Sequence, residues 1–270
     1  MSASIQFTKM HGLGNDFVVI NALNQHMDFK LFSFSALSHR HTGIGFDQLL
    51  LIEPSENADF FCRIYNADGS EAEQCGNGLR CIARYIHEEG LHPAKQFKIE
   101  TRAGFFTLEI QDYDHIRVCM GAPDIINPLL PLSLVNPERD VPVSILSLGN
   151  PHAITKITSV DSPALEKLAA QISSDSHFSD GVNVGFMEIL DTHKIRLRTF
   201  ERGVGETFAC GSNACASAAA GIMQGWLKSS VEVNFVHGFL TIEWDGKDKP
   251  IYMTGPASRV FSGELPISIK

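Results

Sequence analysis

The spacing of apolar and polar positions changes several times along the chain, and the order of changes is nearly the same in its two halves. Residues 17–20 and 49–52 are short unbroken apolar runs, as buried strands require. Residues 60–65 and 195–200 alternate apolar with polar and predict half-buried strands. Residues 28–40 and 163–174 carry helical spacing, and Pro163 suits a first turn. A second pair of helices follows over 78–89 and 213–226. The later one is small and Ala-rich (ACASAAAGIM), which predicts a helix closely surrounded by sheet. Residues 104–110 and 238–244 predict strands again, and the Pro-rich stretch 121–139 predicts the connection between the halves.

Individual residues repeat as well. Cys75 and Cys210 lie 135 positions apart, half of the 270-residue length. At that offset Leu13-Gly14-Asn15 matches Leu148-Gly149-Asn150, Gln48 matches Asn183, Arg63 matches Arg198, Asn66 matches Glu201, and Glu71 matches Glu206. Beyond the central helix the offset becomes 134, and Gly104-Phe105-Phe106-Thr107-Leu108-Glu109 faces Gly238-Phe239-Leu240-Thr241-Ile242-Glu243. The period is far longer than the roughly 20–50 residues of solenoid repeats, so the pattern is a duplicated domain. The matches concentrate on Gly, Asn and Cys, residues of turns and sites more than of cores. The expected fold is α+β: two pseudo-symmetric domains, each a β-rich, barrel-like sheet around a central helix. Expected boundaries are 1–120 with the tail 257–270 for the first half, and 121–256 for the second.

Composition narrows the partners. With 22 Lys+Arg against 31 Asp+Glu and a net charge of -9, the chain offers no overall basic character for nucleic acid or an anionic membrane. The opening MSASIQFTKMHG has no apolar secretory core and no apolar run is long enough to span a bilayer, so the expectation is a cytoplasmic protein. Six cysteines in a chain able to build its own core are expected as thiols. None has C-x-x-C or Cys/His zinc spacing, so no metal site is expected. Cys62, Cys81, Cys119 and Cys215 read as packing residues. Cys75 and Cys210 differ, because each is followed by glycine at the start of a predicted helix.

Two equivalent thiols suit inversion of a carbon stereocentre: one removes a proton from one face and the other returns a proton to the opposite face. A thiol's reference pKa of about 8.5 serves both roles. A pseudo-twofold arrangement of the halves would set the two sulfurs on opposite sides of a ligand. The helix start is expected to lower each thiol's pKa. The N–H groups at Gly76-Asn77 and Gly211-Ser212 are expected to hold a carboxylate and the charge that develops on it. Such a site needs no pyridoxal cofactor.

The run Asn66-Ala-Asp-Gly-Ser-Glu-Ala-Glu-Gln-Cys75-Gly-Asn-Gly-Leu-Arg-Cys81 resembles that of diaminopimelate epimerases, as does Glu201-Arg-Gly-Val-Gly-Glu-Thr-Phe-Ala-Cys210-Gly-Ser. His11-Gly-Leu-Gly-Asn15-Asp-Phe and Gly149-Asn150-Pro-His152 match the family's other motifs in the same order, and the resemblance covers nearly the whole chain. It implies interconversion of LL- and meso-diaminopimelate without a cofactor, on the route to lysine and peptidoglycan, by a homodimer. Carried over by position, Cys75 and Cys210 are the acid/base pair, and Gly76, Asn77, Gly211 and Ser212 hold the reacting carboxylate. Asn15, Gln48, Asn66, Asn150, Asn183, Glu201 and Arg202 are the other substrate contacts, with Arg202 on the distal carboxylate and Glu201 on the ammonium. His152 and Glu201 are expected to tune the thiols, and the position equivalent to His152 is Phe17. Two departures stand out: Asn213 replaces the family's usual glycine after Cys210-Gly-Ser, and Phe261 replaces a common tyrosine. The rival readings are a proline-type racemase on the same scaffold, a thiol redox or metal-binding protein, and a ligand-binding duplicate without catalysis.

Overall fold

The computed structural model describes residues 4–25, 33–135 and 138–266. The chain folds into two compact units, Met1–Val118 with Gly255–Lys270, and Cys119–Thr254. In the first unit, β1 (Ser4–Gly12) turns into β2 (Asn15–Asn21) through Leu13 and Gly14, both at positive φ. After α1 (Phe34–Ser38) come β3 (Gln48–Glu53), β4 (Phe60–Asn66) and β5 (Glu71–Ala72). The long helix α2 (Gly76–Glu88) follows, then β6 (Gln96–Thr101), β7 (Gly104–Ile110) and β8 (Ile116–Cys119).

The second unit begins with β9 (Asp124–Val135), β10 (Glu138–Ser147) and β11 (Pro151–Ile157), then α3 (Leu165–Ser173). Next come β12 (Asn183–Asp191), β13 (Lys194–Glu201), β14 (Gly205–Thr207) and the second long helix α4 (Gly211–Met223). The unit ends with β15 (Ser230–Phe235), β16 (Gly238–Glu243) and β17 (Tyr252–Gly255). The last strand, β18 (Ser258–Pro266), belongs to the first unit and pairs antiparallel with β1.

Strand register repeats between the units at the offsets read from sequence. Phe17 pairs Gln48 in parallel strands, as His152 pairs Asn183. Leu49 pairs Tyr65 as Val184 pairs Phe200. Past the helix, Phe60 pairs Ile99 as Ile195 pairs Val233, and Ile99 pairs Phe106 as Val233 pairs Leu240. Sheet register is set by which face is buried, so one register in both units means one pattern of burial used twice. Each long helix is packed by the strands of its own unit, α2 by β1, β2, β3 and β7, and α4 by β10, β11, β12, β13, β15 and β16. The duplication and the mostly-sheet α+β fold stand as expected.

Three local expectations need correction. The Pro-rich stretch 121–139 is not a free connection, because β9 occupies most of it and pairs with β10. Pro128 is accommodated by an irregular register: Leu130 faces Val143 and Asn127 faces Ile145, so two residues, Pro128 among them, oppose one, while Pro131 faces Pro142 within the regular ladder. Extra-residue bulges are where a strand tolerates proline. Of the helix expected over 28–40, residues 28–32 lie outside the described residues and only Phe34–Ser38 is helical. It ends where the amides of Ile44 and Gly45 both turn back to the Leu37 carbonyl. Both long helices start two residues earlier than their spacing suggested, since Cys75 and Cys210 are themselves the N-caps, in extended conformation.

Asn213 sits in a close helix–strand contact. In the first unit the helix carries Gly78, and the Leu50 methyl carbons lie 3.1 and 3.2 Å from where a Cβ on that glycine would sit. The equivalent pair in the second unit is Gly185 on the strand and Asn213 on the helix. A Cβ on Gly185 would meet Asn213 Oδ1 at 2.3 Å and Ile154 Cδ1 at 2.7 Å. The bulky residue has changed sides of the helix–strand contact. Asn213 fills the space and donates Nδ2 to the Val184 carbonyl at 3.1 Å and to Thr199 Oγ1 at 2.7 Å. Overpacking at such a contact costs about 1–3 kcal/mol. Gly185→Ala is expected to lower the unfolding free energy by that amount, and adding Asn213→Gly to recover part of it, as read by urea denaturation.

Candidate active site

The first unit brings Asn15, Cys75, Gly76 and Asn77 together at the start of α2. Cys75 is half-buried, and its sulfur accepts the Gly78 N–H at 3.4 Å, which answers one of the helix's unpaired first-turn donors. Asn15, at the end of the β1–β2 turn, lies beside it, with its Oδ1 3.7 Å from Cys75 Sγ. The same oxygen accepts Asn77 Nδ2 at 3.2 Å. Gly76 and Asn77 are buried in the first turn. Gln48 and Asn66 face each other across β3 and β4, and Gln48 Nε2 donates to Asn66 Oδ1 at 2.9 Å. Asn66 Nδ2 donates in turn to Ser70 Oγ at 3.0 Å. Gln48 Oε1 is buried without a partner among the described residues.

The second unit builds the equivalent site with different chemistry. Cys210 is only 7% exposed, and its sulfur lies 3.4 Å from Ser212 Oγ. Burial, followed by the charge of Glu201, pushes the Cys210 thiol well above its ordinary pKa, while the Ser212 contact works weakly the other way. The expectation of a lowered pKa at this helix start therefore fails for Cys210: loss of solvation outweighs the helix dipole. Glu201 is held by Thr207, whose Oγ1 donates to Oε1 at 2.6 Å. Gly211 and Ser212 are buried in the first turn of α4. Asn183 Nδ2 donates to the Pro151 carbonyl at 3.1 Å, and its Oδ1 accepts the Arg202 backbone N–H at 3.0 Å. The Arg202 side chain is exposed, and its Nη1 reaches the Asp180 carbonyl at 3.3 Å.

His152 is fully buried, and desolvation brings its pKa down to about 3. It is neutral at physiological pH, so it brings no positive charge with which to lower a thiol's pKa. Its Nε2 lies 3.0 Å from Asn150 Oδ1, so it bears on the asparagine at the β10–β11 turn. Arg63 and Arg198, which match by symmetry, bind Glu53 and Glu71 in one unit and Glu206 in the other. They brace strands. Cys62, Cys81 and Cys215 are buried and Cys119 is half-buried, and burial pushes the Cys81 thiol up to about 12.

Several groups that shape the site were not singled out from sequence. Arg80 is fully buried and donates Nη2 to Asn77 Oδ1 at 2.9 Å and Nε to the Pro256 carbonyl at 3.1 Å. Its position three residues after Asn77 on one helix was the available signal. Asp47 accepts Asn15 Nδ2 at 2.9 Å and the Asp16 N–H at 3.1 Å on one carboxylate oxygen, and Arg40 Nη2 at 2.8 Å on the other. Asp16 returns the contact by accepting the Asp47 N–H at 3.0 Å, and also binds Lys9 Nζ at 2.6 Å. Arg40 is thus tied to this cluster through Asp16 and Asp47.

The family model for diaminopimelate epimerase matches residues 7–126 and 144–260, one segment in each half. The chain belongs to the diaminopimelate epimerase family. A diaminopimelate epimerase of Nitrosospira multiformis is 45% identical over 273 aligned positions, spanning 97% of this chain and 99% of that protein. One from Pseudomonas aeruginosa is 44% identical at the same coverage. Among solved structures, a hydroxyproline epimerase from Agrobacterium vitis superposes with a TM-score of 0.75 at 14% identity, covering 100% of this chain and 95% of that one. A Bacillus anthracis phenazine biosynthesis protein of the PhzF family gives 0.73 at 18% identity, covering 97% and 99%. These distant likenesses concern the fold. The 44–45% relatives place the chain with the diaminopimelate epimerases rather than with proline-type enzymes.

The buried neutral imidazole carries a pH dependence. Its folded pKa of about 3 lies below the ordinary 6.5, so the unfolded chain takes up the proton first. Its contribution to stability is therefore complete above pH 6.5 and is lost as the pH falls toward 3, at no more than about 1.4 kcal/mol per pH unit. Denaturant titrations of the wild type and His152→Gln across this range are expected to show the wild type losing stability faster as the medium is acidified.

Proposed function

We propose that the chain interconverts LL- and meso-2,6-diaminopimelate by a two-base proton transfer at the α-carbon, with Cys75 and Cys210 as the two bases and no cofactor. The observation that carries this reading is that both thiols are the N-caps of equivalent helices in a chain of the diaminopimelate epimerase family. In one direction the Cys75 thiolate takes the α-proton, the electron pair passes into the carboxylate-stabilised carbanion, and the Cys210 thiol gives its proton to the other face. Cys75 leaves as thiol and Cys210 as thiolate, and the reverse direction exchanges the roles. Coupled titration of the pair follows from this exchange. The raised pKa of Cys210 beside Glu201 supports Cys210 as the group that rests protonated.

The first-turn N–H groups at Gly76-Asn77 and Gly211-Ser212 are the proposed carboxylate holders, since a helix start offers unpaired donors to developing anionic charge. Asn15, Gln48, Asn66, Asn150 and Asn183 are proposed to bind the substrate's polar groups, Glu201 its reacting ammonium, and Arg202 its distal carboxylate by bidentate pairing. The substrate is a small molecule, and the chain is proposed to act as a cytoplasmic homodimer. No helix among the described residues is long and apolar enough to cross a membrane.

The test is α-proton exchange in deuterium oxide with diaminopimelate, proline and hydroxyproline as separate substrates. Exchange and epimerisation of diaminopimelate are expected, and exchange with proline alone would overturn the assignment. Cys75→Ala and Cys210→Ala are each expected to abolish epimerisation while the circular dichroism of the folded protein is unchanged. Substantial epimerisation by either variant would overturn the two-base mechanism.

A further inference from the structure

The duplicated units carry one asparagine each at the same turn, Asn15 after Gly14 and Asn150 after Gly149. The two glycines have φ of 89° and 88°, although Leu13 before Gly14 is also at positive φ and Leu148 before Gly149 is not. The side chains are held by different partners. Asn15 Nδ2 donates to the Asp47 carboxylate, while its Oδ1 takes Asn77 Nδ2 and faces Cys75 Sγ. Asn150 meets His152 Nε2 through its Oδ1.

The chemistry of these partners leaves one orientation in each unit. A guanidinium only donates and a carboxylate only accepts. Arg80 therefore fixes the Asn77 oxygen on its own side and turns the Asn77 nitrogen to Asn15. Asp47 demands the Asn15 nitrogen at the other end, which leaves the Asn15 oxygen for Asn77 and the thiol. The chain Arg80–Asn77–Asn15–Asp47 is consistent throughout. In the second unit none of its orienting members recurs: the positions equivalent to Asp47, Asn77 and Arg80 are Val182, Ser212 and Cys215. His152, where the first unit has Phe17, takes over. Its Nδ1 is buried with no partner among the described residues. A buried N–H without an acceptor costs about 1–3 kcal/mol, which places the single proton on Nε2, as donor to the Asn150 oxygen. The Asn150 nitrogen is then left without a partner among the described residues.

We propose that these two equivalent amides are set in opposite polarity, Asn15 offering an acceptor to the first thiol and Asn150 offering a donor, with Asp47 and His152 as the positioning residues that impose the difference. On the functional reading above, the Asn150 donor suits a carboxylate oxygen of the substrate. The Asn15 acceptor receives the Cys75 S–H when that thiol is protonated. One fold used twice thereby presents two unlike polar groups to a substrate that is not symmetric about its reacting carbon.

The polarity itself is tested by neutron diffraction of the wild-type protein after deuterium exchange. Deuterium is expected on the Asn15 nitrogen pointing at Asp47 and on His152 Nε2 pointing at Asn150. Deuterium of the Asn15 amide directed at the Cys75 sulfur, or on His152 Nδ1, overturns the proposal. Kinetics test the positioning role. His152→Phe, which copies Phe17, is expected to raise KM for diaminopimelate about tenfold with a smaller change in kcat, and His152→Gln, which keeps a donor, to stay within about threefold of wild type. Asp47→Asn is expected to lower kcat about tenfold with KM little changed. A His152→Phe protein with unchanged KM, a His152→Gln protein no better than His152→Phe, or an Asp47→Asn protein with wild-type kcat overturns it. If the wild type fails to turn over diaminopimelate, the functional assignment falls, and the neutron map still decides the amide polarity.

Discussion

The structure turns on a helix buried within the sheet of its own unit, with a cysteine as its N-cap. The first amides of any helix lack partners within it, and burial removes water as an alternative. At α2 the Cys75 sulfur answers the Gly78 N–H, and the chain enters the helix through extended backbone at that cysteine. The demand for acceptors is what makes the helix start a place for a thiolate or a carboxylate. The same burial works against charge. At Cys210 it prevails, because the sulfur is almost wholly enclosed and the neighbouring carboxylate is Glu201. The helix dipole and the dielectric around it act in opposite directions on the same atom, and exposure decides which is larger.

Duplication preserved what sheet register requires and released what packing can exchange. The Arg63–Glu71 and Arg198–Glu206 ion pairs stand at equivalent places, each tying a long strand to the short strand after it. The helix–strand contact shows the other behaviour. Leu50 against Gly78 became Gly185 against Asn213, with the volume moved from strand to helix. A contact that must be filled once can be filled from either side, and the two halves of this chain fill it from opposite sides.

Periodicity and internal repetition made the architecture legible, since a period of two or of 3.6 reports which face is buried, and both units bury the same faces. The turns at Asn15 and Asn150 and the capping cysteines were visible because Gly, Asn and Cys recur at one offset. Prolines misled over 121–139, where the chain remains paired, with Pro128 in a bulge and Pro131 in register with Pro142. The orienting groups were hidden for a different reason. Asp47, Arg80 and Thr207 have no like partner in the other half, so repetition passed over them, and an acidic residue beside Gln48 looks like any surface charge until its acceptor role toward Asn15 is seen. The direction of a pKa shift was illegible too, because a sequence records the helix start but not the depth at which it lies.

The two units also stop being equivalent at a position that repetition does bring out. Asn66 and Glu201 occupy matching positions on β4 and β13, yet the first is neutral and bonded to Gln48 while the second is a carboxylate bonded to Thr207 and acting on Cys210. A full negative charge near a buried sulfur favours the protonated thiol, whereas an amide has no net charge to exert. Replacing an amide by a carboxylate in one unit alone raises the Cys210 thiol by charge as well as by burial, and that difference arises from a few atoms at one position of a repeated strand.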